Sequence, residues 1–184
     1  SHPAVSVATE CTTEYDGCMK VRLTLSPGTE NRPLQSLWLD IPLKDATVPL
    51  WHALKCDIRS NPAGRTPEGE GEIWNSAQLS DRKWFGNFKH YIWLGAEERG
   101  LCWFADNEAG WVMDWEKQPS CLTLHRANGV VSLRVHLVQK PVTITQPRTI
   151  TFGLMASPAK PMPADWRAIG RRDSRRIRFS MGWV

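Results

Sequence analysis

Apolar and polar positions alternate along most of this chain. In "MKVRLTLS", residues 19–26, Met19, Val21, Leu23 and Leu25 fall on one side and Lys20, Arg22, Thr24 and Ser26 on the other. That two-residue period is the pattern of a half-buried strand, because successive side chains of a strand point to opposite faces. "LQSLWLDIPL" repeats it with Leu37, Leu39 and Ile41, and "RTITFGLMA" with Ile150, Phe152 and Leu154. "CLTLHRANGVVSLRVHLVQ" holds two such runs, joined through Asn128-Gly129, a dipeptide that accepts the positive φ angles of a tight hairpin turn. In its second run Val131, Leu133, Val135 and Leu137 share the apolar face, with Arg134 and His136 opposite. Exposure is the plain expectation for His136.

Breaks at Pro27-Gly28, Pro49, Pro141, Pro147 and "SPAKPMP" (157–163) leave little room for a long helix. "DIRSNPAGRTPEGEGE", residues 57–72, is rich in glycine, proline and charge and reads as one extended loop. Many short strands without alternating helices indicate an all-β fold, an antiparallel β-sandwich with little helix. A sandwich is favoured over a barrel because several strands carry one apolar and one polar face.

The most aromatic stretch, "YIWLGAEERGLCWFADNEAGWVMDW" (91–115), holds Trp93, Trp103, Trp111 and Trp115 among Glu97, Glu98, Asp106, Glu108 and Asp114. "YIWL" and "LCWF" read as strands flanking "GAEERG", and "WVMDW" as the third strand of a meander. Aromatic platforms beside acids suit a sugar site, but glycoside hydrolysis needs two carboxyls converging from different elements. Their separation is about 5–5.5 Å for retention and about 6.5–9.5 Å for inversion. Adjacent residues such as Glu97 and Glu98 cannot flank one bond from within a strand, and in a loop they would be solvated or pair with Arg99. Trp103, in a dense apolar run, reads as core. Trp93, Trp111 and Trp115 suit either a core or sugar stacking. The residues taken forward as carbohydrate-binding are Trp93, Trp111, Trp115, Glu98, Arg99 and Asp106.

Composition narrows the classes further. At 184 residues, 41% hydrophobic and 23% charged, the chain can bury a full core as one domain. No apolar run reaches the ~18–20 residues of a membrane-spanning helix. The start, "SHPAVSVATE", lacks a signal-peptide pattern, and Ser1-His2 reads as a cloning remnant, which leaves open a leader removed before it. The five cysteines, Cys11, Cys18, Cys56, Cys102 and Cys121, are widely spread without a C-x-x-C pair and read as buried free thiols rather than a disulfide framework or zinc site. Net charge is +4, yet residues 167–184 hold six arginines and one acid, Asp173, so the body before them is close to neutral. A basic tail on a neutral body is not the basic face that nucleic acid requires. His52, His90, His125 and His136 are scattered without ligand spacing, and no nucleophile, zinc or phosphate-loop motif is present. The residues therefore indicate no metal, no cofactor, no nucleic acid and no membrane, and assign no catalytic residue.

At this level of detail the chain resembles a known family. "EYDGCMKVRLTL", "LWLDIPLK", "YIWLGAEERGLCWFAD" followed by "GWV", and "TFGLMASPAKPMPADWR" occur in order over roughly residues 14–167. They are similar to the N-terminal domain that precedes the catalytic barrel in proteins related to glycoside hydrolase family 123. The resemblance implies a β-sandwich packed against a (β/α)8 barrel. In the family that barrel hydrolyses β-linked N-acetylgalactosaminides by a substrate-assisted retaining mechanism with an adjacent Asp-Glu pair. "RIRFSMGWV" falls about where the barrel would begin, so that pair has no counterpart here. The expected organisation is a β-sandwich over residues 1–166, then a basic linker or barrel start over 167–184, leaving the sandwich stiffly through Pro158, Pro161 and Pro163. The implied role is non-catalytic, supporting a barrel of the same polypeptide and helping to shape its substrate cleft. The alternative is a stand-alone carbohydrate-binding module, and a self-contained enzyme is the third reading. A secreted or periplasmic location rests on the resemblance alone.

Overall fold

The computed structural model describes residues 3–14, 16–55, 61–79 and 86–158. Cys56, Trp166, the arginine-rich stretch 167–184 and the boundary expected at residue 166 lie outside those residues. Within them the chain is an antiparallel β-sandwich. The strands are β1 (Val5–Thr13), β2 (Met19–Pro27), β3 (Leu37–Lys44), β4 (Leu50–Ala53), β5 (Ala63–Arg65) and β6 (Gly71–Asn75). They continue as β7 (Tyr91–Ala96), β8 (Arg99–Phe104), β9 (Leu122–Ala127), β10 (Val130–Val138) and β11 (Arg148–Ser157). The larger sheet has the order β1-β2-β11-β8-β7-β4-β5 and the smaller β3-β10-β9-β6. Among the described residues the helical content is two short 3-10 turns, Asp45–Thr47 and Ser76–Leu79.

Alternation explains the packing. Val21 and Leu25 of β2, Ile150 and Phe152 of β11, Trp103 of β8, and Ile92 and Leu94 of β7 turn inward from the larger sheet. They meet Leu122 and Leu124 of β9 and Val131, Leu133, Val135 and Leu137 of β10 in one continuous core. Trp103, fully buried, faces Phe152 with ring centroids 6.4 Å apart. Trp51 and Trp74, one from each sheet, meet at 5.2 Å and close the other end. The β9–β10 turn is as expected, with Asn128 at φ 52° and Gly129 at φ 75° between the paired Ala127 and Val130. Pro42 sits in β3, an edge strand of the smaller sheet, where its missing N–H breaks no ladder between two neighbours.

Three expectations change. The 57–72 loop is interrupted, because Ala63–Arg65 pairs with Leu50–His52 as β5, and β6 begins at Gly71. Gly64 permits the first, since a Cβ there would lie 3.3 Å from the Trp51 ring. "WVMDW" is not a third meander strand. Gly110, at φ 90°, turns the chain out of the larger sheet, and Val112 forms a parallel bridge to Val138 of the smaller one. There Trp111 is buried edge-on against Phe88, centroids 5.5 Å apart. Among the described cysteines, all free, Cys121 is buried, but Cys18 and Cys102 are half-buried and Cys11 is exposed. Cys11 lies on β1, an edge strand packed on one side only.

The strand phase of β10 yields a direct test. Leu133 is 1% exposed, so Leu133→Ala should lower the unfolding free energy in urea by ~2–5 kcal/mol. Arg134→Ala, on the outer face, should cost about 0.5–1 kcal/mol, since its ion pair is partly solvated. Equal losses would contradict the phase described.

Candidate functional site

The structure does not gather the six sequence-predicted residues into one site. Trp93 lies on the outer face of the larger sheet, and Trp111 is in the core. Trp115 is half-buried and packs on the core's edge. Glu98 is exposed in the β7–β8 turn, Arg99 is exposed at the start of β8, and Asp106 is exposed in the following turn, where it accepts from Asn107 Nδ2 at 3.0 Å. Among the described residues, no group of three or more His, Cys, Asp or Glu side chains could hold a metal.

Trp93 nevertheless has an organised setting. Its indole lies over glycine backbone: a Cβ on Gly100 would sit 2.4 Å from the ring, and one on Gly95 2.5 Å. Its Nε1 donates to Ser157 Oγ of β11 at 2.9 Å, which holds the ring against the sheet. One strand spacing away, Phe104 covers Gly153 in the same manner, with a Cβ there 2.2 Å from the ring. Cys102, opposite Trp93, and Met155, opposite Cys102, complete this surface. At its far side Tyr91 Oη contacts the His52 ring at 3.2 Å and accepts from Asn61 Nδ2 at 3.1 Å. Partial burial pushes the Tyr91 phenol above its ordinary value. The outcome is a half-buried aromatic face whose shape is set by glycines.

A second cluster occupies the outer face of the smaller sheet. Trp38 is 45% exposed, and the Arg134 guanidinium stands 4.7 Å from its ring centroid. Arg134 donates to both carboxylate oxygens of Asp40, at 2.8 and 2.9 Å, and Trp38 Nε1 donates to the same carboxylate at 3.2 Å. These hydrogen bonds, the one from Arg134 foremost, hold Asp40 below its ordinary pKa. His136 is half-buried rather than exposed and contacts Thr123 Oγ1 at 3.2 Å. Burial first, then the Arg134 charge, lowers its pKa. His125 and Glu72 extend the cluster at 3.7 Å. Trp38 was missed although a signal was present: a tryptophan in the polar phase of "LWLDIPL" has its largest surface turned away from the core.

Both faces present aromatic rings bordered by hydrogen-bonding groups. Comparison with protein-family models and with curated proteins finds no match for the chain.

Two tests follow. Gly100→Ala should cost ~1–3 kcal/mol by displacing the Trp93 ring, and much less in a Trp93→Ala background, which a double-mutant cycle in denaturant would measure. On pH, His136 is depressed from 6.5 and Asp40 from 3.8 in the folded chain, so each favours the unprotonated folded state. Their contributions are complete above those ordinary values and are lost as pH falls through the lower folded values. Stability should therefore decline in acid, first below about pH 6.5 through His136. His136→Gln should remove that first step from a denaturation-versus-pH series while leaving the Asp40 step.

Proposed function

We propose that this chain is a non-catalytic β-sandwich domain of a glycoside hydrolase-like protein, supporting a (β/α)8 barrel of the same polypeptide and helping to shape its substrate cleft. The observation that carries the reading is the placement of two of the four stretches that carry the family resemblance, the second as far as Pro158. W-L-G-x-E-x-R-G-L-x-W-F-A-D forms the β7–β8 hairpin, and F-G-L-x-A-S-P forms the end of β11, its immediate neighbour. Their motif residues pack on one another: Trp93 on Gly95, Gly100 and Ser157, Phe104 on Gly153, and Trp103 against Phe152. Motifs far apart in sequence thus form one structural unit. Glu97 and Glu98 lie at its turn and Asp106 beyond its end, all exposed, so in this reading they serve solvation or contact.

The second reading, a carbohydrate-binding module in its own right, draws support from Trp38. Its exposed ring beside Asp40 and Arg134 combines a stacking surface with a donor and an acceptor for sugar hydroxyls.

An enzyme assay separates these from a self-contained enzyme. The isolated chain should not turn over aryl β-N-acetylgalactosaminides, whereas a polypeptide continuing into the barrel should. Turnover by the isolated chain that Glu98→Gln abolishes would overturn the proposal. If the second reading holds, tryptophan fluorescence should detect oligosaccharide binding that Trp38→Ala weakens about threefold to tenfold.

A further inference from the structure

Among the described residues the two sheets have four edges, and one edge differs from the other three. Strand β5, at one side of the larger sheet, pairs over only three residues, Ala63–Arg65. Edge strand β3 of the smaller sheet carries Pro42, and β6 at its other side is interrupted by a register shift between Glu72 and Trp74. Short length, proline and bulges are devices that keep a sheet edge from pairing with another chain. Strand β1, the remaining edge, has none of them. Its nine residues, "VSVATECTT", run in unbroken register from Val5↔Pro27 to Thr13↔Met19, with Glu10 as the one charge.

The parity of the ladder identifies the unpaired groups. Glu14 N–H donates to Cys18 O at 2.8 Å, so these two residues form a hydrogen-bonded pair at the end of the β1–β2 hairpin. Hydrogen-bonded and non-hydrogen-bonded pairs alternate along an antiparallel ladder, so Thr12, Glu10 and Ala8 direct their N–H and C=O groups toward β2. Val7, Thr9, Cys11 and Thr13 direct theirs away from the sheet, and no strand of the described residues lies there to meet them. Their side chains stand beside Leu25, Leu23, Val21 and Met19, yet remain in solvent: Val7 is 49% exposed, and Cys11 is exposed.

We propose that β1 pairs with β1 of a second copy of this chain, antiparallel about a two-fold axis, making one sheet continuous across a homodimer. A two-fold interface must be complementary to itself, and this strand meets that condition. Centred on Thr9, the pairing sets Val7 against Cys11 of the second copy and Cys11 against its Val7, which joins the exposed apolar side chains on one face. On the other face Glu10 meets Ala8 of the second copy, so no two carboxylates stand directly opposite. Glu10 keeps its ion pair with Arg22 of β2, at 3.4 Å. The pairs formed by Val7, Thr9 and Cys11 would exchange roughly six main-chain hydrogen bonds. Neither barrel nor sugar takes part.

Sedimentation velocity and residue-resolved hydrogen–deuterium exchange of the 184-residue chain, across a concentration series under reducing conditions, test the pairing. The expected result is a reversible monomer–dimer equilibrium in which the amides of Val7, Thr9 and Cys11 gain protection as dimer forms, while those of Ala8 and Glu10 are protected throughout. Thr9→Pro removes an outward N–H without breaking the β1–β2 ladder, and should weaken dimerisation at least about tenfold. Val7→Lys should do the same by placing a charge in the seam, with the circular dichroism of both variants matching that of the unmodified chain. If either variant unfolds, the concentration dependence of amide protection in the unmodified chain decides alone. A chain that stays monomeric up to about 1 mM would overturn the proposal, as would a dimer indifferent to both substitutions or one whose newly protected amides lie elsewhere. Protection of Thr9 and Cys11 only by an added unrelated extended peptide would assign the edge to a different partner and overturn it equally.

Discussion

The central strands β2, β7, β8, β9, β10 and β11 each supply apolar side chains to the face that meets the opposite sheet, and the remaining features depend on that constraint. Removing those faces from water is the dominant favourable contribution, and it is available only if the two-residue phase is kept along these strands. Trp103 shows the constraint at its strongest. It is fully buried, faces Phe152 of the neighbouring strand, and belongs to a core shared with Leu133 and Val135 across the sandwich. A shift of one residue in β8 would exchange it with Cys102 and Phe104 and place the largest fully buried side chain in solvent.

Because the inner faces are committed to the core, chemistry is confined to the outer faces and turns, and the two outer faces differ. The smaller sheet presents Trp38, Asp40, Arg134 and His136, a polar network in which Arg134 lowers the pKa of both Asp40 and His136. The larger sheet presents Trp93, Phe104, Cys102 and Met155, where shape rather than charge is organised. A partner recognised through ionic groups would suit the first face, and one recognised through apolar contact the second.

Alternation made the inward faces of β2, β3, β10 and β11 legible from sequence, as Asn128-Gly129 did the β9–β10 turn. The misreadings have physical causes. β1 went unrecognised because Val5–Thr13 is exposed along nearly its whole length, and an edge strand held by backbone hydrogen bonds needs no apolar face. "WVMDW" has strand-like composition, but Gly110 redirects it to the other sheet, and a long-range bridge of that kind leaves no local signal. Trp111 and Trp93 look alike in sequence, and one is core while the other is outward, because the difference lies in chain path rather than residue type. The clustering of Trp38 with Arg134 depended on the β3–β10 register, which brings Asp40 opposite Arg134 across a long stretch of chain.

Glycine placement carries the distinction between core and outer face one step further. Glycine inside a strand loses more backbone entropy than alanine and weakens the strand by roughly 0.5–1 kcal/mol. The sandwich accepts that cost at Gly95, Gly100 and Gly153 on three adjacent strands. The core cannot be the reason, since all three lie in the outward phase of their strands and the atoms a Cβ would strike belong largely to Trp93 and Phe104. The glycines instead let two large rings lie close to the backbone, giving a low, nearly continuous surface where ordinary side chains would stand up from the sheet. With the rings in place a Cβ at any of the three would collide, at 2.2–2.5 Å from Phe104 or Trp93, so glycine and ring are fixed together and the flatness of this face is set by the pair rather than by either alone.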